Sequence, residues 1–600
     1  MALTQRDKIY TLIGILMALF LGALDQTIVS TALPKIVEDL KGLDRFAWVA
    51  TSYLLASTVL VPVYGKLADM YSRKSIELWA VSLFLAGSFL CGIAGEFGHL
   101  PLLGDGMNQL IVFRALQGIG GAGLFSLAFI IIADLYPPNV RGRYQGLVGA
   151  TFGLASVLGP WIGGLLTDYG SGIVPGVEGW RWVFYVNVPF GAVAIWFIVT
   201  RMPQLRPDDK RLPLDLLSAS LLILGLVPLI LALQLDKTLY PWASNVTLAL
   251  FTAALIFILL FVTRSLRSFN PILDLSLFRN AVFSIANAAV FFLGATFMVI
   301  IIFLPLFMVN VVGVSATRAG VSLIPLSLGM VFGAIVSGQL VSFIGRYRLL
   351  MLVGGTILLV GVYLLSSMPV DVGYWRVTLY MVICGLGVGP SLPLYTLAIQ
   401  NAVDVRKVGQ ATSSSQFFRQ IGGTVGAAIM GTVLATSLAA SFATTGQTGL
   451  GEIAGFSGRD FAASGGAGVG AQISQMFDQQ YDGIAEAFRS GDTAALENVL
   501  AQSPLREETR RRISLGAHTV LGNEAASEGF LSELKQQLTS QAKHVTQEVE
   551  GSIRVAFNEA ITSIYRYLIA VVVIGWSITW FVPVLPLRST IEQQMSVANE

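Results

Sequence analysis

The chain has 600 residues and contains fourteen long apolar runs, each long enough to cross a lipid bilayer, for which a helix needs about 20 apolar residues. The runs lack the alternation typical of barrel strands, so they are predicted to be helices. Charged residues make up only 12% of the chain, against roughly 25% in soluble proteins. The sequence therefore predicts an all-α polytopic membrane protein and excludes a soluble globular enzyme. The predicted spans are 9–30, 46–67, 77–95, 108–133, 142–167, 181–201, 213–234, 243–263, 281–309, 317–343, 348–367, 375–400, 409–438 and 557–583.

Lys and Arg residues in the short loops predict the orientation, because cytoplasmic loops carry an excess of both. With the N-terminus placed inside, the inside segments hold 19 of these residues and the short outside loops hold 7. We therefore expect a multi-pass protein of the cell (inner) membrane with both termini in the cytoplasm.

Two similar loops indicate that the chain is built from two related halves. Gly65-Lys-Leu67 is followed six residues later by Arg73, and Gly338-Gln-Leu340 is followed six residues later by Arg346. Parallel six-helix units with two extra helices between them would space the repeat in this way. The predicted regions are an N-terminal six-helix bundle (1–202), a linker with two extra transmembrane helices (203–270), helices 9–13 of the C-terminal bundle (271–440), a partly helical extracytoplasmic insert (441–555), and the last transmembrane helix with a cytoplasmic tail (556–600).

Asp25 is the one acid that lies deep inside a predicted span. Glu77, Asp134, Asp215 and Glu559 lie near span ends, and none of the three histidines falls within a span. An ionisable residue inside a membrane is costly and is a functional-site hypothesis by default. If the protein moves protons, Asp25 is the predicted carrier.

Six stretches together resemble motifs of the fourteen-span drug:proton antiporters of the major facilitator superfamily. Leu24-Asp25-Gln-Thr-Ile-Val-Ser-Thr-Ala-Leu-Pro34 resembles their first-helix signature. The resemblance covers almost everything outside 441–555, and it implies a major facilitator fold of two six-helix bundles plus two extra linker helices. The other stretches are the loop motif at 65–74, the fourth-helix motif at 114–122, the fifth-helix antiporter motif at 153–164, and further signatures at 180–189 and 418–423.

The resemblance places helices 1 and 4 side by side, which would bring Asp25 close to Arg114. Asp25 lies about 16 residues from the inner end of its span and Arg114 about 19, a difference in depth of roughly 4–5 Å. A guanidinium favours the ionised carboxyl and burial favours the protonated one, so proton affinity can change as the site opens to either face. A purely structural buried ion pair is the alternative.

The loop at 65–74 is expected to act as a conformational latch. Asp69 is predicted to cap an adjoining helix N-terminus or to pair with Arg73, which would favour one packing of the two halves. The resemblance implies that this cluster holds the outward-open state, whereas an ordinary positively charged loop is the alternative. Ser342 stands in the second copy where an acid would be, so only one effective latch is expected. The candidate latch residues are Gly65, Asp69, Arg73 and Asp134.

Small residues in the fifth helix are expected to let helices approach closely, with a kink at the proline. Packing alone accounts for the pattern, and only the resemblance associates it with export. The candidate residues of this antiporter motif are Gly153, Gly159, Pro160, Gly163 and Gly164.

Arg419 is a lone cation within the C-terminal spans. It could face a central cavity and attract anionic groups, pair with an acid of the N-terminal half, or reach the cytoplasmic surface. Aromatic and Met side chains would suit bulky apolar substrates, although in a membrane helix such residues more often face lipid or core. The candidate cavity residues are Gln416, Arg419, Asn287, Phe291 and Met298.

The sequence thus predicts a proton-coupled antiporter that exports hydrophobic or amphipathic compounds by alternating access. It contains no nucleotide-binding phosphate loop, so the proton gradient is the expected energy source and no cofactor is expected. No nucleophile–base pair or metal cluster suggests an enzyme, and no nucleic acid partner is expected. The alternatives are an exporter of lipids that hands cargo to an extracytoplasmic partner through 441–555, and a sensor or scaffold that transports nothing.

Overall fold

The computed structural model of the protein describes residues 4–42, 45–101, 103–205, 214–237, 239–446, 469–490, 493–501, 510–511, 513–515 and 524–588. Across these ranges the chain is almost entirely α-helical, and fourteen helical segments are long and apolar enough to cross a membrane. The prediction of an all-α protein with fourteen spans is therefore confirmed. The predicted tail after residue 588 lies outside the described residues.

The N-terminal bundle packs around a central helix, 106–135, most of whose residues are buried. Its apolar residues are spread around the helix, as expected for a helix with neighbours on most sides. The helices of this bundle are α1 (Gln5–Leu40), α2 (Phe46–Met70), α3 (Arg73–Gly92), α4 (Gly106–Leu135), α5 (Pro138–Tyr169), and the pair α6 (Trp182–Tyr185) and α7 (Asn187–Arg201), which together form the sixth span.

Two further helices stand beside the N-terminal bundle. They are α8 (Leu216–Gln234) and α9 (Asn245–Arg267), which pack against each other. Leu222, Leu226 and Ile230 of α8 join one apolar cluster with Val59 of α2. The two extra helices are thereby attached to the bundle through side-chain packing.

In the C-terminal bundle, two long helices, 281–310 and 408–446, pack against each other and form its centre. Its helices are α10 (Ala281–Asn310), the pair α11 (Ala316–Val321) and α12 (Ile324–Ile344), α13 (Tyr347–Ser366), the pair α14 (Tyr374–Val388) and α15 (Ser391–Ala402), and α16 (Val408–Gly446). The last helix of the chain completes this bundle by packing on α10 and α13.

The described part of the insert consists of α17 (Val469–Ser490), α18 (Thr493–Ala501) and the first half of α19 (Glu524–Trp580). α19 runs without a break for 57 residues from the insert into the last span. The apolar stripe of α17 at Phe477 and Ile484 belongs to the same core as Leu531 and Leu534 of α19. The apolar side chains of α17 and of the first half of α19 are far apart in the chain, but they pack together in one helical unit.

The two ends of the molecule carry different elements and are called the basic end and the insert end. The basic end holds the junctions between α2 and α3, between α4 and α5, and between α15 and α16. The insert end holds α17, α18 and the loop between α8 and α9. The two bundles meet where α5 packs on α12 and where α2 packs on α16.

Candidate functional site

A buried ion pair joins α1 and α4 inside the N-terminal bundle. Arg114 Nη1 donates to Asp25 Oδ2 at 2.5 Å, and the Asp25 side chain has no exposed surface. Gln117 Nε2 donates to the other carboxylate oxygen at 2.8 Å, and Asn187 Nδ2 lies 3.4 Å from the same oxygen. Both oxygens of Asp25 are therefore occupied by hydrogen-bond donors.

Glycines allow the helices around this pair to approach closely. A Cβ at position 118 would lie 2.5 Å from the carbonyl oxygen of Tyr53, and one at position 87 would lie 2.6 Å from the Gln117 Cα. α2 and α3 can therefore pack directly on α4 beside Arg114. The guanidinium carbon of Arg114 lies 4.5 Å from the centre of the Tyr53 ring, a cation–π contact.

The pair is separated from a large cavity by a thin layer of protein. Gln26 follows Asp25 on α1 and Leu54 follows Tyr53 on α2, and both line the cavity. Asp25 and Arg114 do not belong to the lining. Asp25 is thus adjacent in the chain to a residue of the cavity wall, while its own carboxyl is enclosed by protein.

Sequence reasoning predicted the Asp25–Arg114 contact but missed the amides that complete it. Gln117 lies one turn from Arg114 within the fourth-helix motif, and Asn187 lies within the signature at 180–189. An amide within an apolar span was the available signal, because a buried polar group needs a partner. Glu77 lies near the start of α3, as expected, but its burial was not predicted: it is fully buried, and neither carboxyl oxygen has a hydrogen-bond partner among the described residues.

Asp69 connects the two bundles at the basic end. Its carboxyl oxygens accept hydrogen bonds from the backbone N–H groups of Gly409 and Gln410, at 2.8 and 2.9 Å, in the first turn of α16. A carboxylate at a helix N-terminus is stabilised by the unpaired N–H groups and by the helix dipole. Asp69 therefore caps a helix of the opposite half.

Arg73 holds this carboxylate in place from within the N-terminal bundle. Its Nε donates to Asp134 Oδ2 at 2.8 Å, and its Nη2 lies 3.7 Å from Asp69 Oδ1. The contact with Asp134 forms because α3 begins where α4 ends. The structure thus brings together Asp69, Arg73 and Asp134, the three charged residues of the predicted latch.

Gly65 allows the two bundles to touch one turn away from Asp69. A Cβ at this position would lie 2.7 Å from the carbonyl oxygen of Gly409 and would collide with the side chain of Ser413. α2 and α16 therefore approach each other backbone to backbone at the basic end. Residue 65 has to be glycine for this approach to be possible.

The antiporter motif divides between two helix contacts. A Cβ at Gly153 would lie 3.1 Å from the carbonyl oxygen of Ser327 on α12, in the other bundle. Gly159 and Gly163 instead face α1, where a Cβ at Gly163 would lie 2.7 Å from the carbonyl oxygen of Ile28. Pro160 lies inside α5, and a Cβ at Gly164 would touch nothing within 4 Å. Close packing thus explains three of the four glycines.

The cavity lies between the bundles and has a volume of about 540 Å³. It reaches Asp236 and Lys237 in the loop between α8 and α9, and Ala435 in the half of α16 that lies towards the insert end. The cavity thus extends towards the insert end, while the basic end is closed by the contacts of Asp69 and Gly65. Much of its wall is formed by large apolar side chains, which are Phe125, Phe129, Phe152, Phe297, Met298 and Met330.

Three of the five predicted cavity residues line the cavity, namely Gln416, Arg419 and Met298. The prediction was wrong for the other two. Asn287 is buried beside its own helix, where its Nδ2 donates to the carbonyl oxygen of Phe283. The backbone of Phe291 touches α16 at Gly422, and its side chain packs against the apolar cluster of α8. Both residues share a helix face with the lining residues Gly294 and Met298, but they lie nearer the start of α10, where the neighbouring helices close the cavity.

A separate ion pair lies within the C-terminal half of the basic end. Lys407 Nζ donates to Asp274 Oδ2 at 2.6 Å. Partial burial raises the pKa of Asp274, but the hydrogen bonds from Lys407 and Ser276 outweigh this effect and hold the pKa below its ordinary value. This pair stabilises the connection between α9 and α10 against the start of α16.

The arrangement of two bundles, a closed basic end and a central cavity agrees with the relationships of the sequence. Residues 15–427 match the sequence model of the Major Facilitator Superfamily. The chain belongs to the major facilitator superfamily. The match includes Asp25, Asp69, Arg114 and Arg419, and it ends before the insert.

Members of this superfamily that are similar to the chain include exporters of drugs. Multidrug resistance protein 3 of Bacillus subtilis (strain 168) is 39% identical over 428 residues, which are 71% of this chain and 80% of that protein. Multidrug transporter protein MdtP of the same organism is also 39% identical, over 71% of this chain and 75% of that protein. The rubrofusarin-specific efflux pump aurT of Gibberella zeae is 32% identical, over 68% and 73%. The chain is therefore a transporter of the multidrug efflux branch and not an enzyme.

Solved structures of the superfamily share the fold at low sequence identity. A bacterial homologue of the human lysosomal transporter Spinster, in an inward-facing and occupied conformation, is 14% identical and covers 96% of this chain and 97% of its own, with a TM-score of 0.51. The proton:xylose symporter XylE covers 69% of this chain and 86% of its own, with 13% identity and a TM-score of 0.50. The major facilitator fold is confirmed by these similarities.

Proposed function

We propose that the protein is a proton-coupled antiporter that exports hydrophobic or amphipathic compounds by alternating access. The observation that carries this proposal is the buried carboxyl of Asp25, which is bonded to Arg114 and Gln117 and is adjacent in the chain to a residue of the cavity wall. An acid in this position can take up a proton only when the surrounding helices move. Proton binding and bundle movement are then the same event.

The bonds between Asp25 and Arg114 explain how protonation could favour one conformational state of the protein over the other. The ionised carboxyl is stabilised by Arg114 and Gln117 in the state with a closed basic end. Protonation removes the charge that Arg114 pairs with, so the helix contacts that hold the pair together become weaker. A proton thus has different affinities for the two states, which is the requirement for a ligand to shift a conformational equilibrium.

We infer that the basic end faces the cytoplasm and that both termini lie there, because basic residues are enriched in cytoplasmic loops. The conformation described here is then outward-facing: the latch of Asp69 closes the inner side and the cavity extends outwards. Substrate leaves through the open outer side, and a proton reaches Asp25 from that side once the helices around the carboxyl move. The apolar wall formed by residues such as Phe125, Phe297 and Met330 suits hydrophobic cargo.

The proposal is tested with purified protein in proteoliposomes, with Hoechst 33342 as the amphipathic cargo and an imposed pH gradient. The variant Asp25→Asn is expected to lose gradient-driven transport while retaining exchange of dye at equal pH on both sides. Retained exchange shows that the variant is folded. Gradient-driven transport at the wild-type rate by Asp25→Asn would overturn the proposal.

Glu77→Gln is the matched control. Glu77 is a second fully buried acid of the same bundle, but its carboxyl oxygens have no partner among the described residues. The same chemical change at this position should leave gradient-driven transport within about twofold of wild type. Equal losses in both variants would point to general damage of the bundle rather than to a role for Asp25.

A further inference from the structure

The cavity contains a cation that no group of the described protein neutralises. Arg419 lines the cavity and forms no ion pair with any acid in the described part of the chain. Its Nη2 is buried without a hydrogen-bond partner. A guanidinium stays charged at any physiological pH, so burial without a counter-ion leaves an unmet demand for negative charge.

Two amide side chains on the same face of α16 also have a buried polar atom without a hydrogen-bond partner among the described residues. Gln416 and Gln420 lie three residues before and one residue after Arg419, and both line the cavity. Residues at these spacings project from one side of a helix. Gln416 Nε2 and Gln420 Oε1 are buried, and each lacks a hydrogen-bond partner among the described residues. The cavity therefore presents two unused donors and one unused acceptor within a single helical turn.

The backbone fixes where these side chains point. A Cβ at Gly294 of α10 would lie 2.9 Å from the Arg419 Cα, so the two helices are in direct contact at this level. The Gly422 region packs on Phe291 of the same helix. α16 therefore cannot turn Arg419 away from the cavity without losing its contact with α10.

The other charges around the cavity do not satisfy Arg419. Asp236 and Lys237 lie next to each other at the insert end, and the Lys237 ammonium contacts the Ala232 carbonyl oxygen and the Trp242 ring. Asp25 is occupied by Arg114 in the opposite bundle. The uncompensated charge in the middle of the cavity is therefore positive, and it comes from Arg419.

We propose that Arg419, Gln416 and Gln420 form a subsite for the anionic group of an amphipathic cargo. The anion, such as a carboxylate, would accept hydrogen bonds from Arg419 and Gln416, and a neighbouring hydroxyl or amide of the cargo would donate to Gln420. The apolar part of the cargo would lie against Phe297 and Met298. This inference rests on the proposed function, because it names the substrate class of the same cavity.

Binding rather than transport tests the subsite, so that its failure is distinct from a failure of proton coupling. 1-Pyrenebutyrate carries a negative charge at one end, and its methyl ester replaces that charge with a neutral group of nearly the same size. Pyrene fluorescence of the protein in nanodiscs, with empty nanodiscs as the blank, should give at least tenfold tighter binding of the anion. Arg419→Gln should abolish this preference, and Arg419→Lys should restore part of it.

Lys237→Gln is the matched control, because it removes a cation from the same cavity whose ammonium already has partners. It should change the preference by less than twofold. Equal binding of acid and ester by the wild type, or an unchanged preference in Arg419→Gln, would overturn the subsite. A wild-type protein that binds the anion selectively but shows no transport driven by the pH gradient would overturn only the proposed function.

Discussion

The two copies of the basic-end repeat use the same glycine but not the same charge. A Cβ at Gly65 of the first copy would collide with α16, and a Cβ at Gly338 of the second copy would collide with the Gly142 carbonyl oxygen on α5. Each glycine thus allows one bundle to touch the other. Asp69 then bonds across the halves to α16, whereas Ser342 Oγ donates only to the Gly338 carbonyl oxygen of its own helix. Both copies therefore close the basic end by the close approach of a glycine, but only the first copy adds a charged group that bonds to the opposite bundle.

The largest effect is expected from removing the acid of the first copy. Asp69→Ala leaves two N–H groups of α16 without their acceptor, at a cost of about 3 kcal/mol, or about 150-fold in the equilibrium between closed and open basic ends. Distances between spin labels at Val140→Cys and Phe343→Cys, two exposed positions on α5 and α12, report the opening. Ser342→Ala is the control and should leave the distance distribution unchanged. An unchanged distribution in Asp69→Ala would show that the carboxylate is not a latch.

The glycines should give similar effects in both copies. Gly65→Ala and Gly338→Ala each place a methyl group against backbone of the opposite bundle. Overpacking of this kind costs about 2 kcal/mol, so each variant should favour the open basic end by about 30-fold. The same label pair measures it. Gly164→Ala, where a Cβ would meet nothing, is the control. A shift in only one of the two variants would contradict the symmetric part of the comparison.

An acid placed in the second copy should produce a smaller effect of opposite sign. Ser342 corresponds to Asp69 in the repeat, and α5 corresponds to α16 as the helix contacted. Ser342→Asp should therefore interact with the N-terminus of α5 and stabilise the closed basic end by about 0.5 kcal/mol. Ser342→Asn, which has the same size without the charge, separates the electrostatic contribution. A larger closed fraction of the label distances in Ser342→Asp than in Ser342→Asn would match the expectation. Equal closed fractions in the two variants would contradict it.

The smallest effect is expected for an ion pair that does not cross between the bundles. Lys407→Gln removes the bond to Asp274, which is partly exposed and worth about 0.5 kcal/mol. It should lower the apparent Tm slightly and leave the label distances unchanged. Because the pKa of Asp274 is held below its ordinary value, the contribution is present at neutral pH and is lost as the pH falls through that lowered pKa. A change in distance would show that the pair acts between the states.

The sequence was sufficient for the spans and for the central pair because both follow from local physical rules. Each span is a continuous apolar run, and Asp25 and Arg114 are isolated charges at matching depth in neighbouring helices. The ends of α1 and α4 differ from the predicted ends by several residues, yet the prediction that Asp25 and Arg114 lie at a similar depth holds. Asp25 lies 20 residues from Gln5, the start of α1, and Arg114 lies 21 residues from Leu135, the end of α4.

The partners of Asp69 were beyond sequence reasoning. Gly409 and Gln410 bond to it through backbone N–H groups across about 340 positions of the chain, and a backbone donor leaves no mark on residue type. Asn287 and Phe291 were misplaced for a related reason, since the sequence of a helix does not show at which level along it the neighbouring helices close the cavity. The burial of Glu77 was missed because a position near a span end does not reveal how the helices around it pack.

The length of α19 gives the molecule a lever. Arg554 Nε donates to the Val311 carbonyl oxygen just after the end of α10, which marks the point where α19 leaves the bundle. The segment from Glu524 to Arg554 continues for roughly 45 Å beyond this pivot. If the C-terminal bundle tilts by about 10°, the far tip travels through an arc of about 8 Å. Each tilt of the bundle would then move the whole helical insert at that end of the molecule.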